Sequence, residues 1–279
     1  MVEFVKAHGL GNDYLYINCI SNREPLFPEE LSKRLSDRHF GVGADGIILI
    51  CNSKVADFKM RIFNKDGSEA EMCGNGIRGF AKYVYDYRLI DKKEFTIETL
   101  AGIKKVKLLV GNKGLVEMVT VDMGEPILEP AKIPVLTREN APIMDLKIAI
   151  KNKIFTLTCV SMGNPHAIIF VNNIENIDIK EYGPLLEKRS EFPNKTNVEF
   201  VEIIDKSNIK MRVWERGTGE TLACGTGACA ATVASVLNQY TDRKVLVELL
   251  GGNLEIKWNE NDNHVYMTGT ATIVFRGRI

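Results

Sequence analysis

The chain carries one stretch of its sequence twice. Met60-Arg-Ile-Phe-Asn-Lys-Asp-Gly-Ser-Glu-Ala-Glu-Met-Cys-Gly-Asn-Gly76 is matched 151 positions later by Met211-Arg-Val-Trp-Glu-Arg-Gly-Thr-Gly-Glu-Thr-Leu-Ala-Cys-Gly-Thr-Gly227. Gly11-Asn12 is likewise matched by Gly163-Asn164, the stretch ending at Arg38 by one ending at Arg189, and Thr96–Gly102 by Leu246–Gly252. Matches in the same order at nearly the same interval indicate an internal duplication, so the chain must fold as two copies of one unit.

Each copy reads alike. Two strands come first, then an amphipathic helix (28–38 and 179–189), with Pro28 suited to a first helical turn. A pair of strands leads into Cys-Gly-x-Gly, and a helix and two or three further strands follow. The strands are short β-branched and aromatic runs such as Gly46–Ile50, Lys59–Phe63 and Phe155–Cys159. The helix after Cys73 places Ile77, Phe80, Ala81 and Val84 on one face. The helix after Cys224 is apolar nearly all round and must be wrapped by other elements. The expected fold is α/β in content (α+β class): two pseudo-symmetric domains, each a curved, mostly antiparallel sheet around a central helix. The Gly124, Pro126, Pro130 and Pro134 cluster puts the boundary near 122–134. The halves are thus 1–122 and 123–269, with a C-terminal strand near 270–279 available to pack on the first.

At 279 residues, about two domains are expected,. Lys plus Arg and Asp plus Glu each number 36, so no broad basic surface points to nucleic acid or an anionic membrane,. No apolar run would span a bilayer as a helix, and the N-terminus has no signal-peptide layout, so a cytoplasmic location is expected. Six cysteines in a chain of this kind do not suggest a disulfide framework,. Without Cys-x-x-Cys and with four dispersed histidines, no metal site is expected,.

The chemistry concentrates at Cys73 and Cys224. Gly-x-Gly opening a helix presents backbone N–H groups with no intrahelical partner, and the helix dipole adds to their pull on an anion. A cysteine just before such a start can have its thiol pKa lowered by the same field. Two copies suggest two thiols acting on one carbon, one removing a proton and the other returning one to the opposite face. The other cysteines, at 19, 51, 159 and 229, read as small core hydrophobes. Gly74–Gly79 also fits the dinucleotide fingerprint G-x-G-x-x-G, which would make the chain a nucleotide-binding module. However, turn-like polar residues precede it where a buried strand is required, and that reading explains neither the cysteines nor the second copy.

Taken with His8–Asp13, Gly41–Asp45, Asn64, Met162–His166, Asn197 and Glu215-Arg216, these motifs resemble the diaminopimelate epimerase family over essentially the whole chain. The resemblance implies interconversion of LL- and meso-2,6-diaminoheptanedioate toward lysine and peptidoglycan, without pyridoxal phosphate, other cofactor or metal, in a homodimer. It casts Cys73 and Cys224 as the acid/base pair. Asn12, Asn64, Gly74, Asn75, Asn164, Asn197, Glu215, Arg216, Gly225 and Thr226 take substrate-binding roles, and His166 a supporting one. Arg216 suits a distal carboxylate, and Glu215 and the Asn carbonyls suit ammonium groups. The chain departs from the family pattern at Gly46, where some members carry Gln, and at Tyr14, where Phe is common, a change expected to matter little. Proline-racemase-type enzymes share the paired-thiol logic and are the nearest alternative.

Overall fold

A computed structural model describes residues 2–279. The chain divides into two compact units, 1–122 with 268–279, and 123–267.

The first unit is built on β1 (Glu3–Gly9), β2 (Asn12–Asn18), β3 (Gly46–Cys51), β4 (Phe58–Asn64) and the short β5 (Glu69–Ala70). It continues through β6 (Glu94–Thr99), β7 (Gly102–Val110) and β8 (Val116–Asp122). Helix α1 (Pro28–Ser36) joins β2 to β3, and α2 (Gly74–Asp86) joins β5 to β6. Pairing is antiparallel except between β2 and β3 and between β4 and β6. Every residue of β3 is buried, as a central strand covered on both faces requires,. Helix α2 packs against β1, β2, β3, β7 and β8, which makes it the core of the unit.

The second unit repeats the plan. It contains β9 (Leu146–Ile150), β10 (Lys153–Ser161), β11 (Pro165–Phe170), β12 (Asn197–Ile203), β13 (Asn208–Glu215), β14 (Gly219–Thr221), β15 (Lys244–Leu249) and β16 (Gly252–Trp258). Helices α3 (Ile179–Glu187) and α4 (Gly225–Leu237) stand where α1 and α2 stand in the first unit. The two parallel pairs recur as β11–β12 and β13–β15. Helix α4 packs against β10, β11, β12, β13, β15 and β16. Ala228, Ala230, Ala231, Val233 and Ala234 are all fully buried, so the all-round apolar sequence is satisfied by strands on every side,. The outermost strand of the sheet differs in origin. In the second unit β9, the strand just before it in the chain, pairs antiparallel with β10. In the first, the same place beside β1 is taken by the C-terminal strand β18 (Thr272–Arg278), which follows β17 (Val265–Gly269).

Helices α1 and α3 end at Ser36 and Glu187, two residues short of the sequence expectation in each case. The Gly-Asn that opens each copy is a turn with a physical cause. Gly11 and Gly163 have φ of 90° and 99°, a region that excludes most L-residues, and the asparagine follows directly,.

Gly79 lets the Tyr16 side chain approach to within contact of α2. A Cβ there would lie 2.1 Å from the Tyr16 hydroxyl oxygen, which donates a 2.9 Å hydrogen bond to the Gly76 carbonyl. Gly79→Ala should destabilise the protein by about 1–3 kcal/mol, the usual cost of overpacking. Tyr16→Phe in the same chain should recover part of that loss, measured as urea midpoints. Strict additivity of the two changes would refute the contact.

Candidate active site

Each central helix is capped by sulfur. Cys73 is the N-cap of α2 and Cys224 that of α4, both in extended backbone conformation. Cys73 Sγ accepts from Gly76 N–H at 3.3 Å, and Cys224 Sγ from Gly227 N–H at 3.3 Å. Gly74-Asn75 and Gly225-Thr226 are the first two residues of their helices, where N–H groups have no acceptor within the helix,.

Strand register fixes which residues surround each cap. In the first unit Tyr14 pairs with Gly46, Gly46 with Asn64, and Tyr16 with Ile48. In the second, His166 pairs with Asn197 and Ile168 with Glu199, and the Val198–Trp214 pair places Asn197 beside Glu215. The equivalences are therefore Asn12 with Asn164, Tyr14 with His166, Gly46 with Asn197, Ile48 with Glu199, and Asn64 with Glu215. The scaffold is repeated, while its ionisable side chains are not.

Cys73 has neutral side chains, Asn12 and Tyr14, beside its sulfur. Its thiol donates to Asn12 Oδ1 at 3.3 Å, and Asn12 Nδ2 donates to Asp45 at 2.8 Å. Asp45 is held in turn by Arg38 at 3.0 Å. Tyr14, nearly fully buried, hydrogen-bonds Cys73, and burial first and the nearby thiol second push its phenol well above its ordinary pKa. Tyr14 in place of Phe, a change expected to be minor, thus adds a hydroxyl beside the Cys73 sulfur. It is also coupled to the other departure. A Cβ at Gly46 would lie 3.0 Å from the Tyr14 ring and 2.2 Å from the Phe63 carbonyl oxygen, so this backbone leaves no room there for a longer side chain.

Around Cys224 the partners are acidic. Glu215 hydrogen-bonds the thiol and also accepts from Thr221 Oγ1, and burial raises its carboxyl pKa. Glu199 and His166 are fully buried, with His166 Nδ1 2.7 Å from Glu199 Oε1. His166 Nε2 lies 3.1 Å from Asn164 Oδ1, and Asn164 Nδ2 donates to Thr226 Oγ1 at 3.3 Å. The other oxygen of Glu199 has no hydrogen-bond partner among the described residues. Burial, then the charges of Glu215 and Glu199, push the Cys224 thiol well above its ordinary pKa, outweighing the Gly227 N–H and Thr226. The helix-field argument predicted the opposite direction. It fails for Cys224 because one aligned N–H cannot offset desolvation plus two buried carboxylates.

The remaining candidates are placed as follows. Asn64 ends β4 and donates to Ser68 at 3.0 Å. Asn197 opens β12, and its amide is engaged at both ends, donating to the Pro165 carbonyl and accepting from Arg216 N–H, each at 2.9 Å. Arg216 donates to the Asn194 carbonyl at 2.9 Å. The sequence gives no sign of Glu199 or Arg78 at the site, and it marks Tyr14 only as a departure expected to matter little. Arg78 is fully buried and donates to Gly74 O and Asn75 Oδ1, both at 3.0 Å, and to Thr270 O at 3.1 Å, clamping the first turn of α2. Its only sequence signal is a cation within the Gly-Asn-Gly-Ile-Arg-Gly helix start. Of the four cysteines read as core, Cys51, Cys159 and Cys229 are buried, and Cys19 is half-buried. No cluster of His, Cys, Asp and Glu able to hold a metal ion occurs among the described residues, and no helix there is long and apolar enough to cross a membrane.

The electrostatics around Cys224 make a test. Glu199→Gln and Glu215→Gln each remove a charge that opposes the thiolate, so the Cys224 alkylation pKa should fall. Its reaction with iodoacetamide relative to the parent protein should then rise most near neutral pH, read by peptide mapping. An unchanged pH profile in both variants would show that burial alone sets the thiol.

The family model for diaminopimelate epimerase matches residues 4–129 and 158–274. A diaminopimelate epimerase of Methanococcus maripaludis (strain C5) is 59% identical over 100% of this chain and 99% of its own length. That of Acetivibrio thermocellus is 55% identical, covering 100% and 98%. Among solved structures, a probable proline racemase from Agrobacterium radiobacter with bound carbonate superposes with TM-score 0.74 at 15% identity, covering 100% of this chain and 93% of that one. A Bacillus anthracis phenazine biosynthesis protein of the PhzF family superposes with TM-score 0.70 at 19% identity, covering 100% and 98%. At those identities the likeness is one of fold.

Proposed function

The chain belongs to the diaminopimelate epimerase family, and on that premise we propose that Cys73 and Cys224 carry the proton in its reaction. The enzyme is an isomerase, and the activity is epimerisation of diaminopimelate between its LL and meso forms, a step of lysine biosynthesis. The observation that supports the residue assignment is the repeated sulfur cap, which puts a thiol beside the unsatisfied N–H groups of a helix start in each unit,.

In the proposed step one cysteine, as thiolate, takes the proton from the α-carbon. The other, as thiol, gives a proton to the opposite face. Both proton carriers belong to the chain. Negative charge that develops on the α-carboxylate as the proton leaves is met by first-turn N–H groups of the helices, Gly74-Asn75 and Gly225-Thr226, and by their dipoles. The environments favour unlike roles. Cys224, with Glu215 accepting its proton in a hydrogen bond, starts as the thiol. That leaves Cys73, beside the neutral Asn12 and Tyr14 side chains, to start as the base. We assign Asn164, held by His166, and Asn12, held by Asp45, to meet substrate. We assign Asn64, Asn197, Glu215 and Arg216 to its remaining ammonium and carboxylate groups. Arg216 offers the paired donors that a second carboxylate needs. A homodimer acting in the cytoplasm completes the proposal.

Incubation with LL-diaminopimelate in deuterium oxide should exchange the α-hydrogen, and L-proline should show none. Cys73→Ala and Cys224→Ala should each lose about 100- to 10,000-fold in epimerisation rate, the usual range for an acid/base group. Full activity in either variant would overturn the two-thiol assignment. Exchange of proline but not diaminopimelate would overturn the substrate.

A further inference from the structure

Strands β2 and β3 run parallel in register from Tyr14–Gly46 to Asn18–Ile50. The ladder extends one step, through Cys19 N–H donating to the Ile50 carbonyl at 2.8 Å, which brings Cys19 level with Cys51. Side chains alternate along a strand, so Leu15, Ile17 and Cys19 share a face, as do Ile47, Leu49 and Cys51. All six belong to one apolar cluster, with Cys51 buried and Cys19 packed on its margin. Neighbouring strands are about 4.8 Å apart, inside the ~4.4–6.8 Å range of Cα separations that a disulfide spans.

The two thiols also differ in a useful way. Contact with the Cys51 thiol holds Cys19 below its ordinary pKa against the opposing effects of burial and the Glu24 carboxylate, with the Arg61 guanidinium a smaller contribution in the same direction as Cys51. The Cys19 thiol also donates to the Ile17 carbonyl at 3.7 Å. The same contact, then burial, pushes Cys51 up. On the sheet face that carries the pair, β4 brings Arg61 opposite Leu49 and Lys59 opposite Cys51, so the apolar face ends at a cationic margin. Glu24 and Glu69 bind Arg61, and Glu98 binds Lys59. Cys19 is thus accessible and biased toward thiolate, while Cys51 is shielded beside it. That is the arrangement of an attacking and a resolving cysteine.

We propose that Cys19 and Cys51 form a redox-active dithiol, separate from Cys73 and Cys224, which hydrogen peroxide closes into a cross-strand disulfide. Cys19 Sγ, as thiolate, attacks one peroxide oxygen. The O–O bond breaks, hydroxide leaves, and Cys19 becomes a sulfenic acid. Cys51 Sγ then attacks that sulfur, the S–S bond forms, and the S–O bond breaks. The departing hydroxide takes the Cys51 proton as water, and the first hydroxide takes the proton Cys19 had released. One peroxide is reduced to two waters as two thiols become one disulfide. The inference rests on the strand register and stands whether or not the epimerase reading holds.

The test treats the full chain with equimolar hydrogen peroxide, blocks free thiols, and maps peptides without reduction. A linked Cys19–Cys51 peptide that dithiothreitol releases is the expected product. In Cys51→Ser, Cys19 should stop at the sulfenic acid, and dimedone labelling at Cys19 should rise severalfold over the parent protein. Cys19→Ser should leave Cys51 unoxidised. Circular dichroism of each variant checks its fold, and the parent protein's map decides the matter if a variant fails to fold. Both thiols remaining fully alkylatable while other cysteines oxidise would overturn the proposal. So would Cys19 ending as a sulfinic acid with no linked peptide.

Discussion

A sulfur atom accepting a backbone N–H holds the start of each central helix, and the remainder of each unit is arranged around that bond. A thiol sulfur is a weak acceptor, far poorer than the oxygen of the usual Ser, Thr, Asp or Asn cap. Its acceptor strength rises as it loses its proton, so the cap is strongest in the state in which the sulfur is also a base. Helix geometry and proton affinity are therefore coupled at one atom in each unit. The packing keeps that atom in place. Strands on several sides of α2 and α4 fix the helix axes, and the buried Arg78 ties the Gly74 carbonyl and the Asn75 side chain to the backbone at Thr270.

Duplication gave two such caps, and substitution then made them unlike. At the position over the helix start, Ile48 in one unit corresponds to Glu199 in the other. A Cβ on Gly76 would come within 2.7 Å of the Ile48 methyl, and one on Gly227 would meet a Glu199 carboxylate oxygen at the same distance. An apolar contact has been replaced by a buried carboxylate, which needs a partner to be tolerated. His166, standing where the other unit has Tyr14, is that partner. Both changes reach the thiol through space and leave the strand register untouched, so the fold records the common plan and the side chains record the divergence.

The common plan was legible in the sequence because repetition is independent of propensity. Matching intervals located both helix starts, and the strand runs followed from β-branched clusters such as Gly46–Ile50. What could not be read was the depth of burial of polar residues within strands. Asn197-Val-Glu-Phe-Val201 looks like alternation with one solvated face, yet all five residues are buried because β12 is central and α4 covers its second face. Glu199 was therefore passed over. The lowered pKa expected for Cys224 failed for the same reason, since the helix field was visible from Gly-x-Gly and the opposing carboxylates were not. Cys19 reads as a core residue and does pack against the apolar cluster, but only at its margin, one step past β2, where the apolar face gives way to Arg61 and Lys59.

The inequality of the two thiols bears on what a reversible proton exchange demands. In the proposed two-thiol step one sulfur must start charged and the other neutral, and after reaction those states are exchanged. Two identical environments would offer no preference, and two thiolates or two thiols would compete with the productive state. Glu215 and Glu199 remove that degeneracy by disfavouring charge on Cys224, while Tyr14 and Asn12 solvate Cys73 with neutral dipoles. The bias must stay moderate, because the reverse reaction begins from the disfavoured state. Glu215 serves that moderation as well. Burial raises its carboxyl pKa, so its charge is held less firmly than that of an exposed carboxylate, and the bias against the Cys224 thiolate is smaller than a fixed charge would impose.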